Sequence, residues 1–225
     1  MSKLIVVATP IGNLSDITYR AVDTLKSVDI IVCEDTRVTK ILLDHYQIEK
    51  PLFVVNAQNE SKKIPELIER INNGSVCALV SDAGTPSISD PGTRLVNAAV
   101  KNGIEVIGIP GPSAVILALS ISGLPTDSFV FEGFLPQKKG RQKKLTELAV
   151  EERTIVLYES TYRIEKLLEE INKYMPDRQL VIGRELTKRF EEMWRGTAAE
   201  IIRDLSNKTI KGEFVVIIAP NGFII

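Results

Sequence analysis

Within its first 122 residues the chain repeats one plan three times: a short apolar run, a turn built on glycine and proline, then a helical segment. The turns follow Ala8, Val80 and Ile109. The run Lys3-Leu4-Ile5-Val6-Val7-Ala8 is apolar on both faces, as is 76–80. A strand tolerates that only when it is covered on both sides, which is the condition of a parallel sheet. Strands alternating with helices along the whole chain predict an α/β fold, with parallel or mixed sheets and helices on both faces. Open sheets of this kind place ligands beyond the carboxyl ends of their strands, where these turns lie.

The longest turn is Ser81-Asp82-Ala83-Gly84-Thr85-Pro86-Ser87-Ile88-Ser89-Asp90-Pro91-Gly92. It is either an ordinary strand-to-helix connection or a ligand loop. Gly84 permits close backbone approach, and Asp82 can accept hydrogen bonds from a ribose or an amine. Asp90 before Pro91 predicts a helix cap followed by a first helical residue, with the helix running to about Gly103. After Ala8 comes Thr9-Pro10-Ile11-Gly12-Asn13-Leu14, with Ser15 as the expected cap of the next helix. A strand over 28–33 leads into Glu34-Asp35-Thr36-Arg37. Asp35 or Thr36 is either the cap of a helix over 37–46 or part of a functional cluster. A strand over 105–109 gives Pro110-Gly111-Pro112-Ser113-Ala114, and the almost wholly apolar helix 114–121 is expected to be buried. Its amino end favours an anion. Neither a G-x-G-x-x-G fingerprint nor a Walker loop is present.

Residues 123–127, Gly-Leu-Pro-Thr-Asp, read as a linker, dividing the chain into 1–122 and 123–225. At 225 residues and 44% apolar, the chain has material for two modest cores. The second half carries expected strands at 129–134, 154–158, 180–183 and 214–219, with Ser160 capping a helix whose stripe is Ile164, Leu167, Leu168 and Ile171. Thr197 to Glu200 spells a capping box. The basic run Lys138, Lys139, Arg141, Lys143 and Lys144 opens another helix, where cations oppose the dipole. It either presents charge to an anion such as an RNA backbone or is a solvated face. Net charge is −1, so nucleic-acid binding must come from such local patches. One histidine and two cysteines, Cys33 and Cys77, leave no metal site to expect, and both thiols read as buried and free in a reducing cytoplasm. No apolar run is long enough for a membrane span, and the amino end does not read as a signal peptide.

The turn motifs, taken together and in order with Cys33-Glu34-Asp35-Thr36-Arg37, Gly133-Phe134-Leu135-Pro136 and Gly212-Glu213-Phe214, resemble the tetrapyrrole methylase superfamily. Within it they resemble the branch that methylates a cytidine 2′-hydroxyl in 16S rRNA of the small, 30S, ribosomal subunit. The resemblance implies two α/β domains with S-adenosyl-L-methionine in the cleft between them, and a homodimer. Carried over by position, Pro10, Asp82, Gly84, Thr85, Ser113, Ala114, Tyr158 and Gly212 are the implied cofactor residues. Glu34, Asp35 and Glu185 are the candidate bases for the ribose proton. Arg37, Arg184 and Lys188, with the basic run, are the candidate RNA contacts. The family's histidine is absent from the stretch 55–60, and the chain ends at Ile225 where family members often continue. Two other readings stay open: a C-methyltransferase of a corrin or porphyrin precursor, which shares fold and cofactor, and an RNA-binding module without catalysis.

Overall fold

The computed structural model describes residues 2–223. They form two compact units that divide between Ser113 and Ala114.

The first unit contains β1 (Lys3–Val7), α1 (Tyr19–Ser27), β2 (Ile30–Cys33), α2 (Thr36–His45), β3 (Leu52–Val54), α3 (Glu60–Asn72), β4 (Val76–Leu79), α4 (Thr93–Lys101) and β5 (Glu105–Ile109). The sheet has the order β3-β2-β4-β1-β5, and every pairing is parallel. Alternation along the strands explains why the central runs are apolar throughout. Leu4 of β1, Val32 of β2 and Cys77 and Leu79 of β4 face Leu67, Ile71, Leu95 and Ala99 on α3 and α4. Val7, Ile31, Cys33 and Ala78 face Ala21, Leu25, Leu42 and Leu43 on α1 and α2. Cys33 and Cys77 are buried and free, and burial pushes the Cys77 thiol up to about 11.

Two helix starts differ from expectation. Ser15 lies inside a short 3₁₀ turn (Leu14–Asp16) capped by Asn13, and Thr18 caps α1 by accepting the Ala21 amide. Asp90 does not cap α4. That helix begins at Thr93 behind Gly92, whose φ of 134° breaks the helical path, while the Asp90 carboxyl faces the Ser81 side chain.

The second unit contains α5 (Ala114–Ser122), β6 (Phe129–Phe134), α6 (Arg141–Ala149), β7 (Thr154–Ser160), α7 (Ile164–Tyr174), β8 (Gln179–Arg184), β9 (Glu192–Thr197), α8 (Ala198–Arg203) and β10 (Glu213–Ile218). Its sheet is mixed, in the order β6-β7-β10-β8-β9. Only β6 and β7 are parallel; the other three pairings are antiparallel. One face packs on α6, α7 and α8 through Leu145, Leu148, Leu167, Ile171 and Ile201 against Ile155, Leu157, Ile182, Trp194 and Phe214.

The helix α5 packs on β10 and β8, so the compact second unit begins before it, whereas the sequence reading divided the chain after it. The expected linker is a connection inside this unit, with Leu124 buried and the Thr154 hydroxyl donating to the Pro125 carbonyl. The helix is not buried throughout: Ile116 is 57% exposed. Ser160 does not cap α7. It ends β7, and Arg163 takes the cap position without a side-chain hydrogen bond. The capping box at Thr197 and Glu200 forms as read, on the end of β9, a strand that the sequence reading had not anticipated.

Candidate active site

Because all five strands of the first sheet run the same way, the connections after β1, β2, β3, β4 and β5 emerge along one edge. Two of them lock together. Thr9 donates its amide to the Gly84 carbonyl at 2.9 Å and accepts the Gly84 amide at 3.1 Å. The Thr9 hydroxyl adds a bond to the Ser81 carbonyl at 3.1 Å. Gly84 has φ +79°, and a Cβ there would sit 3.2 Å from Ile11 Cγ2, so this close approach of the two loops needs a bare Cα. On its other side Thr85 donates its hydroxyl to the Pro112 carbonyl at 3.1 Å, tying the β4 and β5 loops together with Ser113 following. Ser87 and Ser89 hold positive φ angles of 72° and 60° in the same β4 loop. Non-glycine residues in this region are strained, and such strain gathers at functional loops.

The carboxylates on this edge divide by environment. Asp35 caps α2 by accepting the Arg37 amide at 2.8 Å, so the capping reading of this residue holds. Its carboxylate also takes the Arg37 guanidinium at 2.5 Å, and these bonds hold it down to about 2. A carboxylate so paired is a weak base, which tells against Asp35 as the acceptor of a ribose proton. Glu34 is different: burial, reinforced by Asp82 and Asp35, raises it. Asp82 accepts the Asp35 amide at 3.3 Å and is also raised, first by burial. Asp90 is pushed to about 6 by burial and then by Glu34 and Asp82. Read from the sequence, Asp90 is a helix cap within the candidate ligand loop and not one of the candidate bases. The signal against that cap was Gly92, two positions on, which makes an Asp-Pro-Gly bend in place of a helix start. Among the described residues no group of three or more His, Cys, Asp or Glu side chains is arranged to hold a metal ion.

Beside these carboxylates lies a cavity of about 170 Å³ between the β1 loop, α2 and the β4 loop. Pro10, Ile11, Leu14, Val38 and Leu42 supply its apolar walls, and Asp82 and Thr39 its polar points.

In the second unit Glu185, Lys188 and Gly212 come together. Lys188 Nζ bridges Glu185 and Glu213 at 2.9 Å each, and Glu185 also accepts the Glu213 amide at 2.9 Å. Burial alone would raise Glu185, but the Lys188 ammonium and the Glu213 amide outweigh it and hold the group below its usual value. That tells against Glu185 as a base. Gly212 is fixed by reciprocal bonds to the Thr161 hydroxyl, at 2.6 and 2.7 Å. Tyr158 meets Phe131 edge-on, with ring centres 5.0 Å apart. Ala114 opens α5.

The expected RNA contacts separate by burial. Arg141 is 3% exposed: it pairs with Glu170 at 2.7 Å, faces Glu159 at 3.7 Å and donates to the Pro136 carbonyl. Arg184 is likewise buried, donating to the Lys211 and Phe190 carbonyls at 2.8 and 2.9 Å. Both arginines are therefore spent on internal structure, which corrects their reading as phosphate contacts. Lys144 is bound to Glu132 at 2.9 Å, and that contact raises its affinity for its proton. Lys138, Lys139 and Lys143 remain exposed, as does Arg37, whose side chain is 87% exposed although it is paired to Asp35.

A family model described as Tetrapyrrole (Corrin/Porphyrin) Methylases matches residues 3–202. The chain is 47% identical over 219 residues to the ribosomal RNA small subunit methyltransferase I of Thermotoga maritima, covering 97% of this chain and 99% of that protein. It is 50% identical to the protein of the same name from Synechocystis, covering 97% of this chain and 79% of that one. Among solved structures, cobalt precorrin-4 methyltransferase superposes with a TM-score of 0.73 at 17% identity, over 97% of this chain and 95% of that one. Uroporphyrin-III C-methyltransferase from Thermus thermophilus, complexed with S-adenosyl homocysteine, gives 0.66 at 15% identity, over 96% of each chain. The chain belongs to the tetrapyrrole methylase family.

Proposed function

We propose that the protein transfers a methyl group from S-adenosyl-L-methionine to 16S rRNA of the small ribosomal subunit, at the 2′-hydroxyl of a cytidine. The observation that carries this reading is near-full-length identity of 47% and 50% to proteins named ribosomal RNA small subunit methyltransferase I. The residues of the first sheet's edge fit the cofactor. Several carboxylates suit a group that carries sulfonium and ammonium charges, and the bare Cα of Gly84 leaves the backbone open to close approach. Pro10, Gly84, Thr85 and Ser113 would hold it. When bound, it supplies an activated methyl group.

What is left for the chain is to hold the nucleotide, aim its hydroxyl and take its proton. A base for that proton should have its affinity raised, as it is at Asp90, to about 6, and in direction at Glu34 and Asp82. Lys138, Lys139 and Lys143, exposed on and before α6, are suited to phosphate contacts. A ribosomal substrate puts the enzyme in the cytoplasm. A homodimer is part of the same reading, tested by light scattering at low concentration.

The test is transfer of labelled methyl to 30S subunits isolated from cells that lack this modification, beside naked 16S rRNA and a uroporphyrinogen substrate. The expected result is label in the small subunit. Label in the tetrapyrrole with none in RNA would assign the chain to C-methylation, and failure to bind the cofactor in calorimetry would favour a non-catalytic RNA-binding module.

A further inference from the structure

The cavity beside α2 has the size and chemistry of a seat for one planar ring. Its volume of about 170 Å³ is walled by Pro10, Ile11, Leu14 and Leu42. Thr39 is 4% exposed, lines the cavity, and its Oγ1 has no hydrogen-bond partner of good geometry within the protein. The Cys33 thiol feels Thr39 in its titration, but a thiol is a weak partner. A buried hydroxyl left in this state is costly, and because Oγ1 itself has almost no exposed surface, a group entering the cavity completes it only after the Thr39 side chain rotates to exchange Oγ1 with its methyl. Asp82 stands on the wall with Oδ1 taken by the Asp35 amide, so Oδ2 is left for an incoming donor. Of the residues assigned to the cofactor, Pro10 and Asp82 border the cavity, whereas Thr85 and Ser113 do not line it. The latter two belong to the β4–β5 side of the edge, whereas α2 stands with β2, on the other side of β4 and β1 in the strand order.

Resting on the methyl-transfer reading above, we infer that this cavity receives the base of the acceptor nucleotide and selects cytosine, with Asp82 accepting the exocyclic N4 amine and Thr39 Oγ1 completing the ring's polar edge. The apolar walls take the ring faces of a base turned out of its stack. Cytosine offers a donor where uracil offers the O4 acceptor. A carboxylate therefore attracts one and repels the other, and the selection comes as much from the repulsion as from the attraction.

The test uses the full chain with 30S subunits carrying either cytidine or uridine at the methylated position, and measures cofactor affinity by calorimetry on each variant. The wild type should prefer cytidine by roughly 10- to 100-fold in kcat/KM. Asp82→Asn, whose amide both donates and accepts, should bring that preference to within about 3-fold, a ratio that any change in cofactor affinity leaves unmoved because it acts equally on both substrates. Thr39→Val should raise KM for the subunit about 10-fold, and Thr39→Ser should restore it. Unchanged selectivity in Asp82→Asn overturns the inference. So does a 10-fold or greater loss of cofactor affinity in Thr39→Val that Thr39→Ser repairs, because that outcome gives the cavity to the cofactor. If the wild type methylates neither subunit, the parent reading has failed and the base seat falls with it, a result distinct from an active enzyme that ignores these substitutions.

Discussion

At the scale of single residues, what matters is how neighbours set the proton affinity of four carboxylates on one sheet edge. Asp35 is held at about 2 by Arg37, whereas Asp90 is pushed to about 6 by burial and by Glu34 and Asp82. If Asp90 takes the ribose proton, kcat should rise with pH and level off above about 6. Asp90→Asn should remove that limb and lower kcat by ~10²–10⁴-fold, whereas Asp35→Asn should leave the limb in place. A pH–rate profile under single turnover checks this, and full activity in Asp90→Asn would contradict it. The stability consequence has the opposite sign to the usual carboxylate case. The folded-state value lies above the ordinary 3.8, so the stabilising contribution of the protonated group is complete below that pH and is lost as pH rises through about 6. Asp90→Asn should therefore raise the melting temperature at pH 7.5 and change it little at pH 4. Gly84→Ala should cost ~1–2 kcal/mol from backbone conformation alone, with more from its contact to Ile11, and should weaken cofactor binding; melting and calorimetry read the two effects.

At the scale of elements, the run around α6 separates structural from presented charge. Arg141 is enclosed by Glu170, Glu159 and the Pro136 carbonyl. Arg141→Ala should destabilise the fold by ~3–5 kcal/mol, because it leaves buried carboxylates without their partner. Lys138→Glu with Lys139→Glu should leave the melting temperature within a degree or two. The pair should weaken binding to the small subunit and reduce the slope of log affinity against log salt by roughly 1.4, the value for two phosphate contacts on single-stranded RNA. Binding titrations at several salt concentrations decide it. The sequence could not separate Arg141 from its neighbours, since Glu170, its partner, lies 29 positions away and arrives only with α7. The same limit explains the cap errors: Asp90 and Ser160 have the right chemistry for a cap, but Gly92 redirects one and the pairing of β7 with β10 claims the other. The strand β9 escaped notice because Trp194 is its one buried residue, so no alternation of burial marked it. By contrast, the both-faces-apolar strands β1 and β4 and the stripes of α3 and α7 were legible, because their periodicity reflects the layers that cover them.

At the scale of the whole molecule, a parallel unit and a mixed unit belong to a fold that hosts more than one methyl acceptor. Solved tetrapyrrole methyltransferases share it at 14–19% identity, so the fold alone does not choose between a macrocycle and a ribose. The choice rests on the relatives at 47% and 50% identity. The measurement that tests the central claim most directly is alkaline hydrolysis of 16S rRNA after incubation of unmodified 30S subunits with the protein and S-adenosyl-L-methionine. A 2′-O-methyl group removes the internal nucleophile, so the account predicts one missing rung in the cleavage ladder, at a cytidine, absent when the cofactor is omitted. An unbroken ladder from an enzyme that binds the cofactor would contradict it.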